Sequence, residues 1–328
     1  MTLILTASEL QSLADMPGTI TAVERVFAGL SRGTAIQPAP DSLLLPSSDA
    51  RFLPMAALSG TDGLASVKLL ADIPANGAAN LPTQRSTIML VSQLTGETLA
   101  ILDGKVPTKV RTAAASAVAT KLLARPASTT LGLVGAGALA VAHVEAMLAV
   151  RPIENVLVWS RSADTVAAFC RETAQYGLNI TRAASVREVV EGADVLCTLT
   201  PAVEPLVKGE WFRPGLHINA VGSRPRPDHR EIDSAGMARA RVFVDSLATA
   251  KAKSGGLIIP VTEGAMDFED VAAELGDVAA GIKAGRRGDE DVTLFNSVGI
   301  GLQDLAIGRL LYDAALSGGI GTHVELNN

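Results

Sequence analysis

The segment Leu131-Gly-Leu-Val-Gly135-Ala-Gly137-Ala-Leu-Ala140 constrains the fold of this chain more than any other. It follows a short apolar run at 129–134 and opens an Ala- and Val-rich stretch at 138–150. Between a strand and a helix, each small residue has a mechanical reason. Gly135 permits a tight turn, Gly137 lets a phosphate approach the backbone, and Ala140 lets the helix close on the strand. The spacing predicts dinucleotide binding at Gly135, Gly137 and the helix start, whose free N–H groups and partial positive charge attract a pyrophosphate. A purely structural Gly-rich turn is the alternative.

Apolar runs and helical stretches then alternate, with strands at 155–159, 195–199 and 217–221 and a helix at 163–176. This alternation predicts a Rossmann-type, doubly wound parallel sheet of the α/β class over 127–294. A chain with 48% hydrophobic residues has the material to bury both faces of such a sheet. The first hundred residues read differently, with short apolar runs at 42–45, 65–71, 87–92 and 98–102 separated by turn signals. They predict a small, largely antiparallel sheet, and the Pro-, Asn- and Gly-rich stretch 73–83 predicts a loop over it. Pro107-Thr108 predicts a helix start with Thr108 as N-cap, placing Arg111 and Thr112 in the first turn. There Arg111 either strengthens an anion site or is a surface Arg beside a helix end. The last thirty residues predict a helix returning to the first domain, so 1–126 and 295–328 form a smaller α+β domain.

A net charge of −6 and only 2 Trp, 2 Tyr and 7 Phe argue against nucleic acid as a partner. No basic leader and no apolar run of about 18 residues occurs, so a cytoplasmic chain without a membrane partner is expected. Cys170 and Cys197 read as reduced core thiols. His143 and His217 read as structural groups, and His229 and His323 have no partner at metal-binding spacing, so no metal is expected.

Cofactor choice turns on the end of the second strand. Where an acidic residue would bind a ribose 2′-OH, this chain has Trp159-Ser160-Arg161-Ser162. Two hydroxyls and a guanidinium suit a 2′-phosphate, so the expected cofactor is NADPH, with NADH used less well. An exposed polar loop with Arg161 in water is the alternative.

Lys68, the loop from Asn76 to Leu81-Pro-Thr83, Thr95-Gly96, Leu102-Asp-Gly104, Thr108-x-x-Arg111-Thr-Ala-Ala, Gly135-Ala-Gly137-Ala, Ile218-Asn-Ala-Val-Gly222 and Leu294-Phe-Asn-Ser-Val-Gly299 occur in this order. Together they resemble the ornithine cyclodeaminase and μ-crystallin family. The resemblance implies a homodimer whose first domains pair their sheets. It implies that Lys68 and Arg111 hold a substrate carboxylate, and that Thr83, Ala138, Leu139, Ser160, Thr200, Val221 and Ser297 contact the dinucleotide. Val298 would lie near the nicotinamide and the substrate.

Two departures from the family pattern bear on the reaction. After Gly222 comes Ser223-Arg-Pro-Arg-Pro-Asp228, which matches the Pro-Asp of the μ-crystallin branch better than the catalytic Asp of cyclodeaminases. At Gln37-Pro-Ala-Pro40 many relatives carry a further carboxylate-gripping Arg, for which Arg51 is the candidate substitute here. Asp304 either shapes the substrate site or holds backbone or an Arg. The expected activity is reduction of cyclic imino acids, Δ1-pyrroline-2-carboxylate to L-proline first and Δ1-piperideine-2-carboxylate second. Ornithine cyclodeaminase, alanine dehydrogenase and a non-catalytic NADPH or small-ligand binder are the alternatives.

Overall fold

The computed structural model describes residues 1–326. In chain order, the first part comprises β1 (Thr2–Leu5), α1 (Ala7–Leu13), α2 (Met16–Ser31), β2 (Ala35–Ile36), β3 (Leu43–Leu44), β4 (Arg51–Ser59), β5 (Leu64–Asp72), β6 (Gln84–Ser92), β7 (Thr98–Asp103) and α3 (Lys105–Leu123). The central part comprises β8 (Thr130–Val134), α4 (Ala138–Leu148), β9 (Asn155–Trp159), α5 (Ala163–Thr173), β10 (Asn179–Arg182), α6 (Val186–Gly192), β11 (Val195–Thr198) and β12 (His217–Ala220). There follow α7 (Ser234–Arg239), β13 (Arg241–Val244), α8 (Leu247–Lys253), α9 (Gly255–Thr262), β14 (Ala273–Glu274), α10 (Leu275–Ala279) and β15 (Thr293–Asn296). The chain closes with α11 (Gly301–Gly318) and β16 (Thr322–Val324).

The chain divides into two compact units, Met1–Arg111 with the chain from Ile300, and Thr112–Gly299. Both divisions differ from the expected 126/127 and 294/295. The first falls inside α3, because the later turns of that helix are tied into the second unit. Ser116 Oγ lies 3.0 Å from His143 Nε2, Asn219 donates to Thr120 Oγ1 at 2.9 Å, and Arg286 and Thr293 donate to the Leu123 carbonyl. The second moves to 299/300 because β15 pairs with β12 and β13 and belongs with them.

In the first unit the sheet order is β16-β1-β7-β6-β5-β4-β2, with β3 on β4. Every pair is antiparallel except β1 with β7. Beyond the expected strands, the structure adds β1, β2, β4 and β16 and the helices α1 and α2. Asp15 caps α2 by accepting the Gly18 N–H at 3.1 Å, and Ile20, Val23, Val26 and Phe27 form its buried face. The 73–83 segment is also not all loop: a 3-10 turn spans Pro74–Ala79, and Ile73 N–H to Thr83 O at 2.8 Å closes it. Helix α11 lies on β4, β5 and β6 and against α2.

The second unit is a fully parallel sheet, β10-β9-β8-β11-β12-β15-β13-β14. Its first five strands follow the order 3-2-1-4-5 of the doubly wound nucleotide-binding fold, and β15, the last of these strands in the chain, takes the sixth place between β12 and β13. Central strands such as Val195–Thr198 are buried throughout, as a sheet covered on both faces requires. Among the described residues no helix is long and apolar enough to cross a membrane.

Candidate active site

In the second unit the turn after β8 has the expected mechanics. Gly135 has φ +113°, and a Cβ there would come within 2.9 Å of the Leu199 carbonyl oxygen. Only glycine fits. A Cβ on Gly137 would instead meet nothing within 4 Å, so the space over this residue is open. Gly137 is the N-cap of α4, and no side chain among the described residues caps that helix. The Ala140 N–H donates to the Gly137 carbonyl at 2.8 Å, but the N–H groups of Ala138 and Leu139 and the helix dipole are available to an anion, and the residues present fit a dinucleotide pyrophosphate. From inside, His143 anchors this turn, with Nδ1 2.8 Å from the Leu139 carbonyl. Burial pushes its pKa down to about 4, leaving a neutral structural group.

Ser160, Thr200, Val221 and Ser297 follow β9, β11, β12 and β15, so the expected cofactor contacts gather at the carboxyl edge of one parallel sheet. Arg161 is exposed beside Ser160. The Ser162 hydroxyl is already used, as N-cap of α5 to Thr165 N–H at 3.3 Å, and Ser160 Oγ accepts the Ser162 N–H at 3.4 Å, which leaves the exposed Arg161 as the side chain of the trio without a partner among the described residues.

Two buried carboxylates that sequence reasoning missed hold these loops. Glu231 accepts from Thr198 Oγ1 at 2.8 Å, from Thr200 N and Oγ1 at 2.7 Å each, and from the N–H groups of Gly222 (2.7 Å) and Ser223 (3.1 Å). Asp245 accepts from the N–H groups of Val298 (2.9 Å) and Gly299 (2.6 Å) and from Ser297 Oγ at 3.3 Å. Burial raises both pKa values while the hydrogen bonds oppose it. Asp245 was readable as a polar residue directly after an apolar strand, where nucleotide-site groups sit. Glu231 lies in an irregular connection and carried no such signal. Between these loops is a concavity of about 360 Å³ lined by Ala220, Ser223, Arg224, Glu231, Ser297 and Val298 among others. Asp228 is largely exposed and pairs with His229 at 3.1 Å. His217 is buried against Thr293 at 3.0 Å and pushed down to about 3 by burial and nearby guanidinium groups.

In the first unit the structure brings Lys68, Arg111 and Asp304 together. Lys68 stands on the inner face of β5, opposite Met55 and Ile88, and is 1% exposed. Its Nζ lies 3.0 Å from both Asp304 oxygens. Arg111 donates Nε to Asp304 Oδ1 at 3.1 Å and Nη1 to Gln303 Oε1 at 2.6 Å. Asp304 is in the first turn of α11, whose start is held tightly on β4: a Cβ on Gly301 would come within 2.9 Å of the Ala56 carbonyl. Gln37 accepts from Leu302 N–H at 3.3 Å and so caps this same helix.

Arg111 does not occupy a first helical turn. Helix α3 starts at Lys105, whose N–H is capped by Asp103 Oδ1 at 2.9 Å, and Pro107 sits in the first turn, where it forfeits no hydrogen bond. Thr108 is therefore inside the helix, and Arg111 and Thr112 fall in its second turn, away from the helix-start anion site. Arg111 acts through its buried side chain instead. Arg51 shares the inner sheet face with Lys68 but stands four residues along β4 from Met55, about 13 Å at strand rise. It does not join the cluster, and its Nε has no partner among the described residues. Thr83 lies at the foot of β6, its carbonyl closing the 73–83 segment.

Burial lowers the Lys68 pKa to about 8; Asp304 opposes this and Arg111 adds to it. The cluster holds two cationic side chains and one carboxylate in a nearly dry place. It can accept one further anion and, at Lys68 Nζ, hold or release a proton near neutral pH. No group of His, Cys, Asp and Glu able to hold a metal occurs among the described residues.

The ornithine cyclodeaminase/mu-crystallin family model matches residues 1–319. A Δ1-pyrroline-2-carboxylate reductase of Bacillus cereus is 35% identical over 98% of this chain and 99% of its own length. The structure of the Thermococcus litoralis Δ1-pyrroline-2-carboxylate reductase, in complex with NADH and L-proline, is similar at a TM-score of 0.94 and 36% identity, covering 98% of this chain and all of that one. An archaeal alanine dehydrogenase dimer with bound NAD matches at a TM-score of 0.92 and 34% identity, covering 99% of each chain. These relatives are oxidoreductases, and the solved ones hold a nicotinamide dinucleotide. The chain belongs to the ornithine cyclodeaminase/mu-crystallin family.

Proposed function

We propose that this protein is an NADPH-dependent reductase of cyclic ketimine carboxylates, turning Δ1-pyrroline-2-carboxylate into L-proline and accepting Δ1-piperideine-2-carboxylate as the larger ring. The observation that carries it is the buried Lys68–Arg111–Asp304 cluster, which retains one net positive charge with Lys68 protonated. Such a site suits a small monoanion, and a planar guanidinium beside an ammonium suits a carboxylate. The Gly135–Ala140 turn would hold the pyrophosphate of a reduced nicotinamide dinucleotide, which when bound would supply hydride chemistry. Arg111, its Nε fixed by Asp304, orients the carboxylate. Lys68 holds a proton at Nζ for exchange with the ring nitrogen, and burial keeps water away from the pair.

The preference for NADPH over NADH rests on the absence of a carboxylate at residues 159–162 and on Arg161, although both solved relatives contain the non-phosphorylated cofactor. In the same reading two copies associate through the outer face of the first unit's sheet.

Oxidation of NADPH and of NADH with each cyclic imine, for wild type and Arg161→Ala, tests both halves. Turnover of the imine with a lowered NADPH preference in the variant is expected. Consumption of pyruvate only with free ammonia would make the protein an alanine dehydrogenase, and ammonia release from ornithine with catalytic cofactor a cyclodeaminase. Cofactor binding with no turnover of any of these would leave a binding protein.

A further inference from the structure

The Lys68 cluster contains one polar group whose hydrogen bonds are not accounted for. Gln303 is fully buried, and its Oε1 accepts from Arg111 Nη1 at 2.6 Å. Because a guanidinium only donates, the amide oxygen has to be the atom that faces it. The other end of the amide, Nε2, then carries two N–H donors, and neither finds an acceptor among the described residues. A buried donor left unpaired costs far more than a made hydrogen bond returns, so such donors are normally satisfied. The same cluster has an excess of one positive charge while Lys68 is protonated. One ligand group answers both deficits: a carboxylate brings a single negative charge and spare lone pairs.

We infer that Gln303 is a further substrate-binding residue, donating its amide N–H to the carboxylate of the imino acid while its oxygen fixes the guanidinium of Arg111. This rests on the reading of the cluster as a carboxylate site and adds to it a neutral donor. Hydrogen bonding is gained without adding a third buried cation to the two already there. Residue 303 thereby contributes to discrimination between a carboxylate and an uncharged substituent.

The test is calorimetric titration of pyrrole-2-carboxylate, a planar carboxylate that cannot be reduced in place of the imine, into NADPH-loaded protein. Wild type, Gln303→Met, Arg111→Met, Lys68→Met and the double variant Gln303→Met/Arg111→Met are compared. Gln303→Met should weaken binding roughly tenfold, with NADPH affinity unchanged. The loss should persist when Arg111 is already Met, as a direct contact requires. If adding Gln303→Met to Arg111→Met costs nothing more, Gln303 acts only through Arg111 and the inference is overturned. If Lys68→Met and Arg111→Met themselves bind as wild type, the carboxylate site itself is wrong, a separate failure. Should Gln303→Met not fold, Gln303→Glu keeps an acceptor for Arg111 but removes the donors. It too should lose affinity, and undiminished binding would refute the assignment.

Discussion

Lys68 sits in the middle of a strand, where the usual reading is a side chain reaching for water. Instead it is buried, and Asp304 keeps its charge affordable by closing on Nζ from α11. Desolvation still dominates and holds the pKa at about 8, well under that of an exposed amine. The sign for catalysis follows directly. In the proposed reaction the Lys68 ammonium would attract the carboxylate and donate a proton, and that form is present below about 8 and disappears above it. The kcat/KM for imine reduction should therefore fall with an apparent pKa near 8, since this ratio reports the free enzyme. In Lys68→Arg, whose guanidinium stays charged, activity should be lower but the alkaline limb should move up by more than one pH unit. A limb in the same place in both proteins would assign that ionisation elsewhere. Loss of the counter-charge is a different matter: Asp304→Ala strands two buried cations and should cost about 3–5 kcal/mol in chemical denaturation.

At the scale of elements, the proposed function would have the α4 start and the loops after β11, β12 and β15 share the holding of a dinucleotide. The loops are held from beneath by Glu231 and Asp245, which use their oxygens on backbone N–H groups and leave Thr200, Val221, Ser297 and Val298 in fixed places. The two fingerprint glycines serve different ends, and their alanine variants should separate. Gly135→Ala forces a left-handed φ on a residue with a Cβ and drives it into Leu199, so folding itself should suffer. Gly137→Ala meets open space, at an extended backbone that alanine adopts freely. Its stability should stay within about 0.5 kcal/mol of wild type while NADPH affinity falls at least tenfold, read by thermal melts and by cofactor titration. Equal affinity in wild type and Gly137→Ala would show that no phosphate approaches this turn.

For the whole molecule, each unit buries its own sheet differently. The parallel sheet is covered on both faces, whereas the first unit's sheet has α11 and α2 on one side and leaves Phe52, Val67, Leu69 and Met89 between 37% and 48% exposed on the other. Val67 and Met89 are direct cross-strand neighbours, so these residues form a band rather than isolated spots. If two copies associate through this face, Leu69→Glu should shift the protein toward monomer in light scattering while leaving cofactor affinity intact. An unchanged molar mass would send the interface elsewhere.

Much of the second unit was legible from local pattern alone. Strand and helix alternation, Gly135 and the run after it concern residues a few positions apart, and a parallel nucleotide-binding sheet follows from them. Helix α2 was equally readable from Asp15-Met-Pro17 and the apolar spacing that follows, and the start of α3 from Asp103, but stronger-looking signals at Thr108 and in the strand runs displaced them. Lys68, Arg111 and Asp304 could be nominated singly, yet nothing local joins partners 236 and 193 residues apart. Only packing α11 against β4 and β5 sets a carboxylate on the buried ammonium. That same packing decides that Gln303 is buried with a donor to spare, and that Arg51, of the same charge and on the same face, stays out of reach. The sequence determined which chemistry was present; three-dimensional contact, through burial and charge pairing that act only at a few ångströms, decided which residues perform it together.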